Sequence, residues 1–153
     1  MKDNLFSYII MQLKNSERLL FIVSRIYNLL HSPSVLFCSS RGVKLNGAFL
    51  CRVKIKVHGN NNQVTISPKV MMNDCVISVF GDNCKIFIEG GGTNIHHCNI
   101  EVRNSYSEVT IKRGFTSEQV SLKACEGRKI IIGEDCMFSA GIYISALQIS
   151  ILS

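Results

Sequence analysis

Apolar residues recur two apart along most of this chain, in short phrases separated by polar, glycine- and asparagine-rich turns. The phrases themselves recur. Four turn segments align as Gly59-Asn60-Asn61-Asn62-Gln63-Val64-Thr65-Ile66, Gly81-Asp82-Asn83-Cys84-Lys85-Ile86-Phe87-Ile88, Asn104-Ser105-Tyr106-Ser107-Glu108-Val109-Thr110-Ile111 and Cys125-Glu126-Gly127-Arg128-Lys129-Ile130-Ile131-Ile132, and their starts lie 22, 23 and 21 residues apart. A second strand precedes the first three turns: Val53/Ile55/Val57, Cys75/Ile77/Val79 and Cys98/Ile100/Val102. Val120/Leu122 precedes the fourth, with a one-residue slip.

Residues two apart share one face of a strand, so each unit has a dry face and a wet one bearing Lys54, Lys56, Thr65, Ser78, Glu101 and Thr110. One such unit buries too few side chains to offset the entropy of ordering it, whereas stacked units complete each other's backbone pairing and close an interior. Strands of two or three residues joined by tight turns predict an all-β solenoid, a parallel β-helix of about 4–5 coils of about 22 residues. Leucine-rich and helical repeats need longer apolar phrases or a 3.6-residue period, and both are excluded. Asn and Gly crowd the corners because corner residues need left-handed backbone angles. A degenerate earlier coil is read from Val43/Leu45 and Phe49, which echo Val64/Ile66 and Val70.

The first thirty residues carry a helical period instead. Leu5, Ile9, Leu13, Leu20, Val23, Tyr27 and Leu30 fall on one stripe, interrupted by Lys14, Glu17, Arg18 and Arg25. Asp3 or Asn4 suits its cap, and His31-Ser32-Pro33 ends it. The resulting organisation is an N-terminal amphipathic helix over 1–31, a linker over 32–40, the parallel β-helix over 41–144 and an out-of-phase tail over 145–153. Uncharged apolar stretches are too short for a signal peptide or a membrane span. The helix is expected to cap the open end of the solenoid, whose strand edges would otherwise stand unpaired. A membrane-surface helix and a partner-binding helix are the alternatives.

Seven cysteines, Cys38, Cys51, Cys75, Cys84, Cys98, Cys125 and Cys136, include no C-x-x-C pair and no ordered Cys/His quartet, so no metal site is assigned. Cys75 and Cys98 take the repeat position of Val53, and Cys136 and Phe115 that of Val70, as small apolar residues of a core would. An odd count without a secretion signal predicts reduced thiols and a cytoplasmic protein, peripheral to the membrane if the helix binds there. The net charge of +6 divides evenly, +3 before residue 42 and +3 after it, which describes a solvated surface rather than a nucleic-acid footprint. His58, His96, His97 and His31 are the candidate bases. His96 and His97, read in a coil-to-coil insertion after Gly90-Gly91-Gly92, are expected to be surface-loop residues, and His58 flanks a turn. Asp74, Asp82 and Asp135 fit turns. Only Glu101 and Glu108 come close to a carboxylate pair.

The phrase Lys129-Ile130-Ile131-Ile132-Gly133-Glu134-Asp135-Cys136-Met137-Phe138-Ser139-Ala140-Gly141-Ile142-Tyr143-Ile144, with the earlier Gly-Asn-Asn-Asn-x-Val-x-Ile coils, resembles the hexapeptide-repeat acyltransferases that acetylate capsule and lipopolysaccharide sugars. The resemblance spans about residues 41 to 144. It implies a left-handed parallel β-helix, a homotrimer, acetyl-coenzyme A as donor and a sugar hydroxyl of a surface polysaccharide as acceptor. It also implies a histidine base in an Arg-Thr-x-Asp-x-His-like segment after the strand of Ile142-Tyr143-Ile144. Here Ser145-Ala146-Leu147-Gln148-Ile149-Ser150-Ile151-Leu152-Ser153 follows instead, so no catalytic residue is assigned, and the residues that would contact coenzyme A stay open. The expectation is an N-terminal portion of such an enzyme, truncated by a frameshift and inactive alone. The alternatives are a non-catalytic β-helix scaffold or assembly subunit, and a right-handed β-helix that binds polysaccharide.

Overall fold

The computed structural model describes residues 17–36 and 42–147. Among them, strands recur in threes, and every third strand joins the same sheet. Sheet A comprises β1 (Val43–Leu45), β4 (Gln63–Ile66), β7 (Lys85–Ile88), β10 (Glu108–Ile111) and β13 (Lys129–Ile132). Sheet B comprises β2 (Phe49–Cys51), β5 (Met71–Asn73), β8 (Asn94–His96), β11 (Thr116–Glu118) and β14 (Met137–Phe138). Sheet C comprises β3 (Lys54–His58), β6 (Val76–Phe80), β9 (Asn99–Arg103), β12 (Ser121–Ala124) and β15 (Tyr143–Ala146). All neighbours run parallel, so the chain winds five coils into one parallel β-solenoid, as the repeat requires.

The inward columns are aliphatic. Val43, Val64, Ile86, Val109 and Ile130 stack in register along sheet A, and Ile55, Ile77, Ile100, Leu122 and Ile144 along sheet C. Most of them are buried, together with Cys75, Cys98, Val70 and Phe115, so the interior is filled by side chains. The cysteines at Val53- and Val70-equivalent positions do serve as core or near-core residues. Burial thins toward the last coil, where Phe138, Ile142 and Ile144 are only half-buried.

Where coil lengths differ, the extra or missing residue sits in a turn. Val120 and Leu122 hold the register of Cys98 and Ile100, because Ser121 pairs Asn99 and Leu122 pairs Ile100. The expected slip lies instead in the next turn, where Ala124 to Ile130 is one residue shorter than Val102 to Val109. The insertion of the third coil falls at Gly90, Gly91 and Gly92, between sheets A and B. His96 therefore ends a strand of sheet B and His97 forms the B–C corner of the same coil, not a coil-to-coil connection. At the C–A corner Gly59 is obligatory: its φ is +101°, and a Cβ there would lie 2.0 Å from the Gly81 carbonyl of the next coil.

Helix α1 (Glu17–His31) lies across the outer edge of β2, followed by a single turn, α2 (Pro33–Leu36), within the expected linker. The helical period expected before Glu17, with Leu5, Ile9 and Leu13, lies outside the described residues. Capping of the strand edge is carried by polar side chains. Asn28 Nδ2 donates to the Ala48 carbonyl at 3.0 Å and its Oδ1 accepts the Leu50 amide at 2.8 Å. Ser32 Oγ accepts the Val53 amide at 2.9 Å, and the His31 carbonyl accepts the Arg52 amide. The inward face of α1 is thus Leu20, Ser24 and Asn28, all buried; of the expected stripe Val23 and Tyr27 are half-buried and Leu30 is turned away. Leu30 is 72% exposed. An open sheet edge has free amides and carbonyls, so the side chains facing it are those that hydrogen-bond. Phe49 is reassigned for the same reason. It pairs Met71 and faces Tyr27 of α1 with ring centroids 5.7 Å apart, while Ala48 takes the Val70 position. At the far end β15 reaches Ala146, two residues beyond the expected boundary, and 148–153 lie outside the described residues.

Candidate functional site

The B–C corner turns on one residue per coil. Arg52, Asp74, His97 and Gln119 occupy equivalent positions in successive coils, and all four adopt left-handed φ values between 52° and 54°. A residue in this conformation at a one-residue corner throws its side chain outward, and coil stacking repeats it about every 4.8 Å. The result is a ladder of unlike side chains. Arg52 Nε and Nη2 each donate to the Asp74 carboxylate at 2.5 Å, a bidentate pair. On the other side His97 Nε2 lies 3.6 Å from Asp74 Oδ2. The Arg52 hydrogen bonds hold the Asp74 carboxyl below the usual carboxylate range, and the same contact raises the guanidinium. One residue earlier, at the end of sheet B, Asn73 Nδ2 sits 3.4 Å from His96 Nδ1.

A carboxylate beside an imidazole is the arrangement that orients a general base. Two features of this corner work against that chemistry. Arg52 already neutralises the carboxylate, and the His97 side chain is 53% exposed. The other histidines have structural partners. His58 stacks on Phe80 at 5.2 Å with rings 5° from parallel, and Phe80 also receives the Arg103 guanidinium at 5.6 Å. His31 closes α1 with its ring 4.4 Å from Tyr27. Glu101 and Glu108 are not brought together: Glu101 lies on sheet C with Arg103 and Lys123, and Glu108 on sheet A with Lys129. Among the described residues no group of three His, Cys, Asp or Glu is placed to hold a metal.

Sheet A and the turn after it carry further charge pairs from coil to coil. Glu89 accepts Lys112 Nζ at 2.9 Å and Glu108 pairs Lys129 at 3.0 Å, and both carboxyls are held low by those hydrogen bonds. An open groove of about 440 Å3 runs along the outside of sheet A, between Thr65, Phe87, Thr110 and Ile131, with Lys85 and Lys112 beside it. A smaller cleft of about 210 Å3 lies between α1 and β1, bordered by Arg25, Lys44, Val35, Val43 and Leu45. Asp74 and Asp135 sit in left-handed corners and Asp82 accepts the Asn60 amide, as turn residues do. The corner ladder was missed by residue-type reasoning, yet its signal is in the numbering. Arg52, Asp74 and His97 each precede the Val53, Cys75 and Cys98 position by one.

In comparison with known proteins, no family model, no curated protein and no solved structure matches this chain.

Proposed function

We propose that this solenoid is of the hexapeptide-repeat acyltransferase type, left-handed, and that it serves acetyl transfer from acetyl-coenzyme A to hydroxyls of capsule or lipopolysaccharide sugars, with none of His31, His58, His96 and His97 acting as the catalytic base. The observation that carries the reading is the parallel prism, held in coil-to-coil register with the Lys129 to Ile144 phrase folded as its fifth coil. In such chemistry a histidine takes the acceptor's hydroxyl proton as its oxygen attacks the thioester carbonyl, and the thiolate leaves. A cytoplasmic location beside the membrane suits that substrate pair. The outer face of sheet A, where Phe87 and Ile131 stand exposed among threonines, supports side-by-side packing of three prisms.

The purified chain, incubated with labelled acetyl-coenzyme A and polysaccharide acceptors, is expected to transfer no label while sedimenting as a trimer. Transfer above the uncatalysed rate would refute the exclusion of these histidines, and a monomer with right-handed coils would refute the family reading. A non-catalytic assembly subunit is the second reading, favoured by the half-buried Phe138, Ile142 and Ile144 at the end opposite α1. It predicts end-to-end association in place of the trimer.

A further inference from the structure

Helix α1 is apolar on its outer side as well as its inner one. Ser24 and Asn28 face the protein beside Leu20, with Val23 and Tyr27 half-buried, and a second apolar stripe faces away. Leu19, Ile22, Ile26, Leu29 and Leu30 are between 50% and 72% exposed and form one ridge along the helix. Arg18 and Arg25, two turns apart and both exposed, border that ridge on one side, with the Arg25 guanidinium 5.0 Å over the Phe21 ring. Beside it opens the cleft between α1 and β1, where Arg25 and Lys44 stand over Val35, Val43 and Leu45. Among the described residues that line this cleft, none is acidic.

We infer that the outer face of α1 lies on an anionic lipid surface, with the ridge among the acyl chains and Arg18, Arg25 and Lys44 at the headgroup phosphates. An interfacial helix needs this combination, an apolar face bordered by cations, and no capacity to span the bilayer. No helix among the described residues is long and apolar enough to cross a membrane. A second copy fits the ridge less well. Five partly exposed side chains offer roughly 400–500 Å2, about half of what each partner contributes to a stable dimer. The ridge is also convex, and its two flanking arginines would meet their own charge in a symmetric pair. This inference stands independently of the acyl-transfer reading.

Flotation of the full chain with vesicles tests it. Phosphatidylcholine vesicles containing about 30% phosphatidylserine should bind the protein, and pure phosphatidylcholine should bind it more weakly. The double variant Arg18→Gln/Arg25→Gln should lose about 30-fold in affinity for the anionic vesicles, at roughly 1 kcal/mol per cation. Ile22→Ser/Ile26→Ser should lose binding to both compositions with an unchanged circular dichroism spectrum, because neither side chain packs in the solenoid. Wild-type protein that ignores anionic vesicles would overturn the inference, as would ridge variants that bind normally. A dimer dissolved by Ile22→Ser/Ile26→Ser, without any flotation, would assign the ridge to a second copy instead.

Discussion

Asn28→Ala is the most direct probe of how the solenoid is closed. Asn28 is 2% exposed and contributes two hydrogen bonds to the edge of β2, one to the Ala48 carbonyl and one from the Leu50 amide. Its carboxamide replaces the strand that every later coil finds in its neighbour. Removal strands a buried amide and a buried carbonyl at about 1–3 kcal/mol each, so roughly 2–6 kcal/mol is at stake. Water entering the vacated space moves the result to the lower end. Two controls isolate the cause. Ser24→Ala on the same face should cost under about 0.5 kcal/mol, because Ser24 Oγ bonds only the Phe21 carbonyl of its own helix. Asn28→Leu keeps the volume and removes both hydrogen bonds, so it should be about as damaging as alanine. Urea unfolding measures the totals, and native-state hydrogen exchange at Leu50 locates the loss in the first coil. An Asn28→Leu protein as stable as wild type, with Leu50 still protected, would refute edge satisfaction and leave apolar docking as the basis of the cap.

Ile100→Ala in the third coil should cost about 2–5 kcal/mol, and Ile144→Ala in the half-buried fifth coil less than half as much; equal losses in denaturant would deny that burial sets the difference. Asp74, Glu89 and Glu108 all have carboxyls held below their ordinary range by cationic partners, so their stabilisation is complete above the unfolded value near 4 and is lost as pH falls through the lower folded values. Thermal midpoints should be flat from about pH 8 to 5 and drop below about 4, and a rise on acidification would contradict those pairings. Cys75, pushed up by its contact with Cys98 and by burial, and Cys84, pushed up by burial, should resist alkylation at pH 8 until the protein is unfolded; labelling of either in the native state, read by mass spectrometry, would show that the interior opens.

Much of this fold was legible in the residue order because strand alternation and coil stacking act on the same side chains. Ile77 is inward by its own strand's alternation, and inward again because Ile55 and Ile100 are its neighbours in adjacent coils. The corners were legible too, since Gly59, Asn61 and Asn83 tolerate left-handed backbone. The orientation of α1 was not. Apolar periodicity assumes that a helix docks through its greasy face, and it has no term for an edge that needs hydrogen bonds, which is why Leu30 was placed inward and Asn28 overlooked. Phe49 was misplaced by one position for the same cause, as α1 offers it a second dry surface outside the prism. The candidate site was less legible still. Arg52, Asp74 and His97 are far apart in sequence and unremarkable by type, and only the coil period puts them in one file. Their exposure then argues against the chemistry that their identities suggest.

The polar cap on β2 has a consequence for biosynthesis. Residues of α1 leave the ribosome before the first coil, so a finished template edge awaits each later turn of the chain. Growth can then proceed by addition, one rung laid on the last, without waiting for distant segments to meet. A nascent chain halted after several coils would already be a shorter rod rather than an unfolded one, and its exposed rung would be the place where synthesis resumes the stack.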